Sequence, residues 1–586
     1  MKKEAPSFIT IKLGAPGMSP MHRIGAGGLA ATLLAYERLK QFGRILPEPP
    51  GKEFWTGEFP WAISPTEVTL QFGKPELAGD FLEWIFAFAF QIRDNLIFLP
   101  GQYLPDHVPP VEVRARLQQG ITLTFLQHGK TRQLGEEKLG SYELDSKKIS
   151  FKFKRCSNYV HQKFWKDWIS KKKELVQKCI DVQGPLNPGA VVRHVAYTGQ
   201  TSISQPLELV LPLVFALVGT LSLPVNGAVG VLLIPHVDNL EEFAKCRANF
   251  TPRTVRESIV AGAGDAILRM EALIRSFYTA KRAKSQGCDA VIFNSKPWSK
   301  QQKSRSETLS VDEVSNDMID FYDGVLEFFP PRLIARKSDE NPDDTSDEKA
   351  AEKPVKKSVK KRGKNASEET SVEPEYFWVD SVLRPFIADN IARGKYWFAG
   401  FARLMTTTEP GAKRPIRDKI RLEMKGLNEM AKSDKFDWNM DGAQAMVLAV
   451  QEALRSRYGD VASDKSVSAE GVKNRLSEEY ERWRRAFSAA KTEEQVRSAL
   501  VNLFSRARNA KVKAHWEDIL RILLTDWQLA RDLALLGLAS YAGKEKDSTA
   551  DAADATDAAD AMDVTDATDV ADAMDAADAM DAADVK

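Results

Sequence analysis

The sequence predicts an α+β protein: a mixed α/β N-terminal region (1–336) followed by a C-terminal helical bundle (374–545). A charged linker (337–373) and an Asp-rich tail (546–586) are both expected to be disordered. Three observations carry this. Up to residue 336, short apolar runs of period two alternate with longer stretches of helical period. From about Tyr376 onward only the helical period persists. In the linker and the tail, apolar residues either nearly vanish or lose any structural period, so neither buries enough surface to offset its ordering entropy. At 586 residues the chain is long enough for three or four domains and a large core.

Taken in order, SFITIKL (7–13) reads as a strand and GGLAATLLAYERLKQF (27–42) as a helix after a glycine-rich entry. ITLTFLQHGKTRQL (121–134) and KKISFKFKR (147–155) alternate like half-buried strands, and AVGVLLIPHV (228–237) reads as a buried one. The most hydrophobic run, LVLPLVFALVGTLSLPV (209–225), is broken by Pro212 and Pro224. It falls short of the ~20 residues that cross a bilayer, so it is expected in the core. RESIVAGAGDAILRMEALIRSFYTAKRAK (256–284) reads as one helix with a basic end, leading into the strand GCDAVIFNS (287–295).

In the linker, an acidic block (338–352) precedes a basic one, KPVKKSVKKRGK (353–364). Beyond it, Val472, Leu476, Tyr480, Trp483 and Phe487 make one apolar stripe. Thr492 and Gln495 form a capping box for a helix carrying Val496, Leu500, Leu503 and Phe504. WEDILRILLTDWQLARDLALLGLA (516–539) supplies a third helix. The polar faces carry Arg482, Arg484, Arg485, Arg497, Arg506, Arg508, Lys511 and Lys513. In the tail, aspartate occupies every third position from Asp551 to Asp584, a spacing that matches neither helix nor strand.

Net charge is +1, but from Asp547 onward the chain holds 13 aspartates and one lysine, which leaves +13 on residues 1–546. A basic body favours a polyanionic partner. Cations concentrate in two places. Residues 151–183 carry nine Lys/Arg against three acids, interleaved with Phe151, Phe153, Tyr159, Phe164, Trp165 and Trp168. Residues 281–305 carry seven against one. Cations neutralise phosphates and exposed aromatics stack on unpaired bases, so both clusters are expected to contact nucleic acid.

Signatures of chemistry are missing. Cys156, Cys179, Cys246 and Cys288 have no metal-ligand or redox spacing and read as reduced thiols. No two of the seven histidines pair at i,i+4, so no metal site is expected. HGKT (128–131) imitates the end of a phosphate-binding loop without its first glycine and reads as a hairpin tip. GAGGLA (25–30) fits a relaxed dinucleotide pattern, but eleven residues separate it from its strand. It reads either as a helix start gripping a phosphate or as tight helix packing. No cofactor and no catalysis are expected. The opening MKKEAPSFITIKL has no apolar signal region, so the protein is expected in the cytoplasm and off the membrane.

Three stretches occur in a distinctive order: GMSPMHRIGAGGLAATLLAYERL (17–39), NPGAVVRHVAYTGQT (187–201) and PWSKQQKSR (297–305). With them the chain resembles the large subunit of type I CRISPR surveillance complexes (Cascade), of the Myxan subtype. The resemblance implies a non-enzymatic subunit that recognises a protospacer-adjacent motif in duplex DNA and assists R-loop formation. It implies as partners a crRNA, backbone and small subunits, target double-stranded DNA, and a helicase-nuclease or transposition-adaptor protein. The C-terminal bundle resembles the small subunit of such complexes.

The expected contacts are Lys296, Trp298, Lys300, Gln301, Gln302, Lys303, Ser304 and Arg305. Among them Gln301, Gln302 and Arg305 are base readers, and Lys296, Lys300 and Lys303 hold phosphates. Arg193, His194, Gln200 and Thr201 form a second set, and His22 with Arg23 a third. The competing readings are a stand-alone nucleic-acid-binding regulator and, less favoured, a nuclease with a non-standard site or a nucleotide-dependent enzyme.

Overall fold

The structure is a computed structural model. It describes residues 6–188, 203–225, 229–275, 287–298, 301–336, 375–408, 416–433, 438, 440–463, 468–505 and 510–541. The expected linker and tail lie outside these residues.

β1 (Phe8–Lys12), β2 (Trp61–Ile63) and β3 (Glu67–Gln71) form an antiparallel sheet in the order β1-β3-β2. Between the first two runs α1 (Pro20–Gln41), with proline in its first turn and Ser19 as N-cap. The motif GAGGLA therefore lies inside α1, past its first turn, and is not a helix start. Its glycines serve helix packing. A Cβ on Gly25 would lie 1.9 Å from the Pro212 carbonyl oxygen, and one on Gly28 would lie 2.1 Å from that of Phe215. Both carbonyls belong to a later helix, whose Gly219 answers against the Ile24 carbonyl at 2.1 Å.

α2 (Ala78–Ala89) is followed by the short hairpin β4 (Gln91–Arg93) and β5 (Leu96–Phe98), turned by Asp94 and Asn95 at φ +56° and +63°. Residues 121–123, expected in a strand, instead end α3 (Val111–Leu123). Val113, Leu117 and Ile121, four apart, are all buried, so the helical period wins over the short alternation at its end. HGKT is a 3-10 turn leading into β6 (Arg132–Leu144), not a hairpin tip. The tip joining β6 to β7 (Lys147–Tyr159) is Asp145–Ser146, both at positive φ.

β8 (Ile180–Asp181) and β9 (Ser204–Gln205) pair before α4 (Leu207–Gly219). The hydrophobic run 209–225 is α4 followed by β10 (Leu221–Val225), and α4 packs on α1 through the glycine contacts above. The carbonyls at the end of α4 are capped from within the core. Arg247, 0% exposed, donates to Val218 and Thr220, and Gln102 Nε2 donates to Leu217 at 3.0 Å. Here the negative end of the helix dipole, rather than a carboxylate, is what the guanidinium faces.

β11 (Val229–Pro235) precedes α5 (Leu240–Cys246), α6 (Val255–Ser258) and α7 (Ala263–Arg275). The single helix expected over 256–284 is broken because Asp265 turns back to accept from the Ala261 N–H at 2.7 Å, starting a new helix. β12 (Cys288–Trp298) and β13 (Gln301–Val311) complete a four-stranded antiparallel sheet, β10-β11-β12-β13. α8 (Asn316–Phe328) leads to β14 (Arg332–Arg336). Across the linker, β15 (Glu375–Val379) pairs with β14 and lies beside β7 in the sheet β14-β15-β7-β6. α9 (Leu383–Ala392) then packs on α7. The first elements beyond the linker thus complete the N-terminal body.

The remainder is helical: α10 (Phe401–Thr406), α11 (Ile416–Ile420), α12 (Met424–Lys432), α13 (Ala443–Ala462), α14 (Ala469–Ala489), α15 (Glu493–Phe504), α16 (Ala510–Ala514), α17 (Trp516–Thr525) and α18 (Trp527–Ala539). α18 is the central rod, with Leu533, Ala534, Leu535 and Leu536 all at 0% exposure. The stretch 516–539 is two helices because the Asp526 carboxylate accepts from the Gln528 and Leu529 N–H groups and restarts the chain. Thr492 caps α15 as expected, while Gln495 reaches one residue further back, to the Lys491 N–H. One contiguous apolar core extends from Ile9 to Ala539. Among the described residues, no helix is long and apolar enough to cross a membrane.

Candidate nucleic-acid interface

The loop expected over 296–305 is built as a β-hairpin arm. β12 and β13 are 11 residues each, in antiparallel register from Cys288↔Val311 to Trp298↔Gln301. Among the described residues, β11 supports β12 only as far as Asn294, opposite Val229. Beyond that, among the described residues, the two strands pair only with each other. The base is anchored, with Cys288, Ala290, Leu309 and Val311 all buried.

Register sorts the expected contacts. Lys296 stands opposite Lys303, Asn294 opposite Arg305, Pro297 opposite Gln302, and Ser295 opposite Ser304. Strand alternation puts positions 294, 296, 298, 301, 303 and 305 on one face of the arm. Positions 295, 297, 302 and 304 fall on the other. Lys300 lies outside the described residues, as do Arg193, His194, Gln200 and Thr201.

His22 is not a surface group. It is 3% exposed, and its Nδ1 accepts from the Ser19 N–H at 3.2 Å. That assigns the proton to Nε2, which donates to Gln205 Oε1 at 3.0 Å. Burial lowers its pKa, so the ring is held neutral. Its role is to tie the start of α1 to β9, four residues past Thr201. Arg23 alone of this pair faces solvent, 4.0 Å from Asp238.

The aromatic residues of 151–183 do not form a stacking platform. Phe153, Tyr159, Phe164 and Trp168 are buried in the core, with Phe151 and Trp165 half-buried, while Lys152, Arg155, Lys163 and Lys166 are exposed between them. The interleaving records the two sides of a covered surface. Part of the charge is also answered. Lys152 lies 3.5 Å from Glu137, Lys173 lies 2.7 Å from Asp80, and the register sets Lys148 opposite Glu143.

The bundle behaves similarly. Arg484 is buried and forked onto Glu481, with Nη2 at 2.7 Å. Arg482, Arg485 and Arg497 each lie within 4 Å of a carboxylate one helical turn back, on Glu479, Glu481 and Glu493. Lys513 is exposed, and Arg506 and Arg508 lie outside the described residues.

No group of three metal-ligating side chains occurs among the described residues, and Cys156, Cys179, Cys246 and Cys288 are not joined in disulfides. One feature escaped the sequence reading. Asp317, Asp320, Asp323 and Glu327, three to four apart along α8, line a cleft facing the bundle. Their helical spacing was the available signal.

Family models match at both ends: the DevT N-terminal domain over residues 10–214 and the DevT C-terminal domain over residues 433–572. Over 571 residues the chain is 34% identical to the CRISPR-associated protein Cas8a1/Csx13 of Myxococcus xanthus (strain DK1622), covering 94% of this chain and 92% of that one. The chain belongs to the Cas8a1/Csx13 family. It is thus a CRISPR-associated large subunit of the Myxan type, as its three motifs had suggested. The DevT N-terminal match contains Gly25 with Pro212 and the 187–201 motif, and ends one residue before Phe215. The β12–β13 arm lies between the two matched stretches.

Proposed function

We propose that this Cas8a1/Csx13 family member is the non-catalytic, DNA-reading large subunit of a crRNA-guided effector. It engages the protospacer-adjacent motif in duplex DNA, helps to open the duplex, and presents the complex to a downstream helicase-nuclease or transposition adaptor. The observation that carries this is the β12–β13 arm. A two-stranded ribbon is narrow enough for the DNA major groove. Among the described residues this one outruns its sheet, and the positions of Lys296, Lys303 and Arg305 share one face with Gln301. Cations along one edge hold the backbone, and an arginine beside an amide on the same face supplies donors for base edges.

The test is binding of motif-bearing and motif-scrambled duplexes by the chain assembled with its guide RNA and partner subunits, at several salt concentrations. Preference for the motif, with affinity falling steeply as salt rises, is expected. Equal affinity for both duplexes would remove the reading function. Incubation of the chain with DNA and magnesium or manganese is expected to leave the DNA intact.

A further inference from the structure

α17 is apolar over more of its circumference than the bundle covers. A helix lying on a core needs an apolar arc of about 100°. Ile519, Ile522 and Leu523 fill such an arc here and are buried. Trp516, Leu520 and Leu524, four residues apart, form a second stripe beside it. At 3.6 residues per turn the two sets together span roughly 200° of the helix. Trp516 and Leu524 are 46% and 58% exposed and Leu520 is half-buried, so the second stripe faces solvent. Single exposed apolar side chains need no explanation, whereas three in register on one helix mark an interaction site.

The rim of the stripe selects the occupant. Along its outer edge stand Glu517 and Arg521, both exposed. Arg521 Nη2 is met on its own chain by Asp518 at 3.2 Å, and Glu517 makes no ion pair among the described residues. A carboxylate without a cation, beside a guanidinium already answered, repels phosphate and disfavours nucleic acid. The partner must bring an apolar helical ridge of the same pitch, about 12 Å long, with a cation along its edge. α17 itself is such a ridge.

We infer that α17 pairs antiparallel with α17 of a second copy of this chain, across a two-fold axis at Leu520. Trp516 of each copy then lies against Leu524 of the other, and the two Leu520 side chains meet on the axis. A two-fold axis perpendicular to the helices keeps the charged edges on one side of the contact. Glu517 of one copy therefore faces Arg521 of the other, offset along the helix by two residues, or about 3 Å. Parallel pairing would instead set each charged edge against the partner's Ile519 and Leu523 side, which its own bundle covers. Three side chains per copy fall short of a standard interface of about 1,600 Å2, so the dimer is expected to be weak.

Sedimentation velocity of the full chain over increasing concentration tests the pairing. Wild type is expected to pass from monomer to dimer and no further, because a two-fold contact closes. Leu524→Asp is expected to remain monomeric where wild type is half dimer. Glu517→Arg lines four guanidinium groups along one edge and is expected to weaken the dimer about tenfold, and adding Arg521→Glu is expected to restore it. Leu520→Cys, with exposed Cys179 replaced by serine, is expected to cross-link to itself through a short bismaleimide.

A wild type that stays monomeric at every concentration overturns the inference, as does a dimer that Leu524→Asp leaves intact. Failure of Arg521→Glu to rescue Glu517→Arg overturns the antiparallel pairing. A dimer seen only after residues 547–586 are removed counts the same way, since the tail would then be the occupant of the stripe. Duplex binding by Leu524→Asp is expected to equal wild type, and a loss there would assign the stripe to DNA instead. Failure of wild type to bind duplex at all would count against the proposed function and leave the dimer result standing.

Discussion

His161 is the side chain whose surroundings contradict its chemistry most plainly. It is 0% exposed and ringed by Phe90, Phe125, Tyr159 and Phe164, with centroids 5.4–6.1 Å away. Neither ring nitrogen has a hydrogen-bond partner, and burial pushes its pKa down to about 3. Unfolded, the same ring takes up a proton near pH 6.5. Between these values only the unfolded chain binds the proton, so stability falls as the pH drops through 6.5 and goes on falling toward 3. Asp532 acts in the opposite sense. Burial raises its carboxyl to about 6, so the folded state gains from protonation there. Comparing variants separates the two. His161→Phe is expected to unfold at higher urea at pH 7, by about 1–3 kcal/mol, because two unsatisfied polar atoms disappear. It should also lose about 2 kcal/mol less than wild type between pH 6.5 and 4.5. Parallel pH profiles for the two proteins would mean that the ring is hydrated in solution. This residue also marks what the sequence withheld. It sits in a stretch read as an aromatic, cationic surface, and alternation reveals that such a stretch has two sides without revealing which one is covered.

At the scale of elements, packing between distant segments decided what local pattern left open. GAGGLA could be a phosphate grip or a helix contact, and the choice depended on α4, nearly two hundred residues away. Gly28→Ala is therefore expected to destabilise by about 1–3 kcal/mol in urea denaturation, since a carbonyl must move to admit the methyl group. A variant that loses DNA binding while keeping wild-type stability would restore the phosphate reading. β7 and α14, with a full period on a single face, and β11, apolar on both faces, were legible in advance. The breaks at Asp265 and Asp526 were not, because a carboxylate that caps a new helix looks like any polar residue inside a longer one.

The arm yields the sharpest element-scale prediction. Lys303→Ala is expected to weaken binding of every duplex alike and to lower the salt slope by ~1. Arg305→Ala should cost ~1–3 kcal/mol at one position of the motif and relax discrimination there. Gln302→Ala, across the ribbon at the Pro297 pair, should do neither. Equal effects of Gln302→Ala and Arg305→Ala on discrimination would show that the ribbon does not read with one face.

For the whole molecule, the issue is whether the β-rich body and the helices beyond the linker are one folding unit. The linker's composition invites a domain boundary, yet the contacts cross it. Arg384 of α9 and Asp265 of α7 are each 0% exposed and meet at 3.1 Å. Tyr322 of α8 donates its hydroxyl to the same Asp265 carboxylate at 2.6 Å, and Arg384 also reaches Asp380 and the Phe329 carbonyl. On the other side of α9, the Glu423 carboxylate accepts from Ser381 and from the Val382 and Leu383 N–H groups, binding the start of the helix to the chain just before α12. A charge so deeply buried owes its ionised state to these partners, and removing one of them exposes the other to the full cost of desolvation. Arg384→Met is thus expected to destabilise by about 3–5 kcal/mol, and adding Asp265→Asn should recover part of that loss. The informative measurement is urea unfolding followed at once by far-ultraviolet circular dichroism and by the fluorine resonances of fluorotryptophan at Trp397 and Trp438, which lie beyond the linker. Coincident curves that shift together in Arg384→Met would establish one cooperative unit pinned at this ion pair. If those two resonances keep their wild-type midpoint while the dichroism splits into two steps, the helices stand alone and the buried pair serves the N-terminal body only.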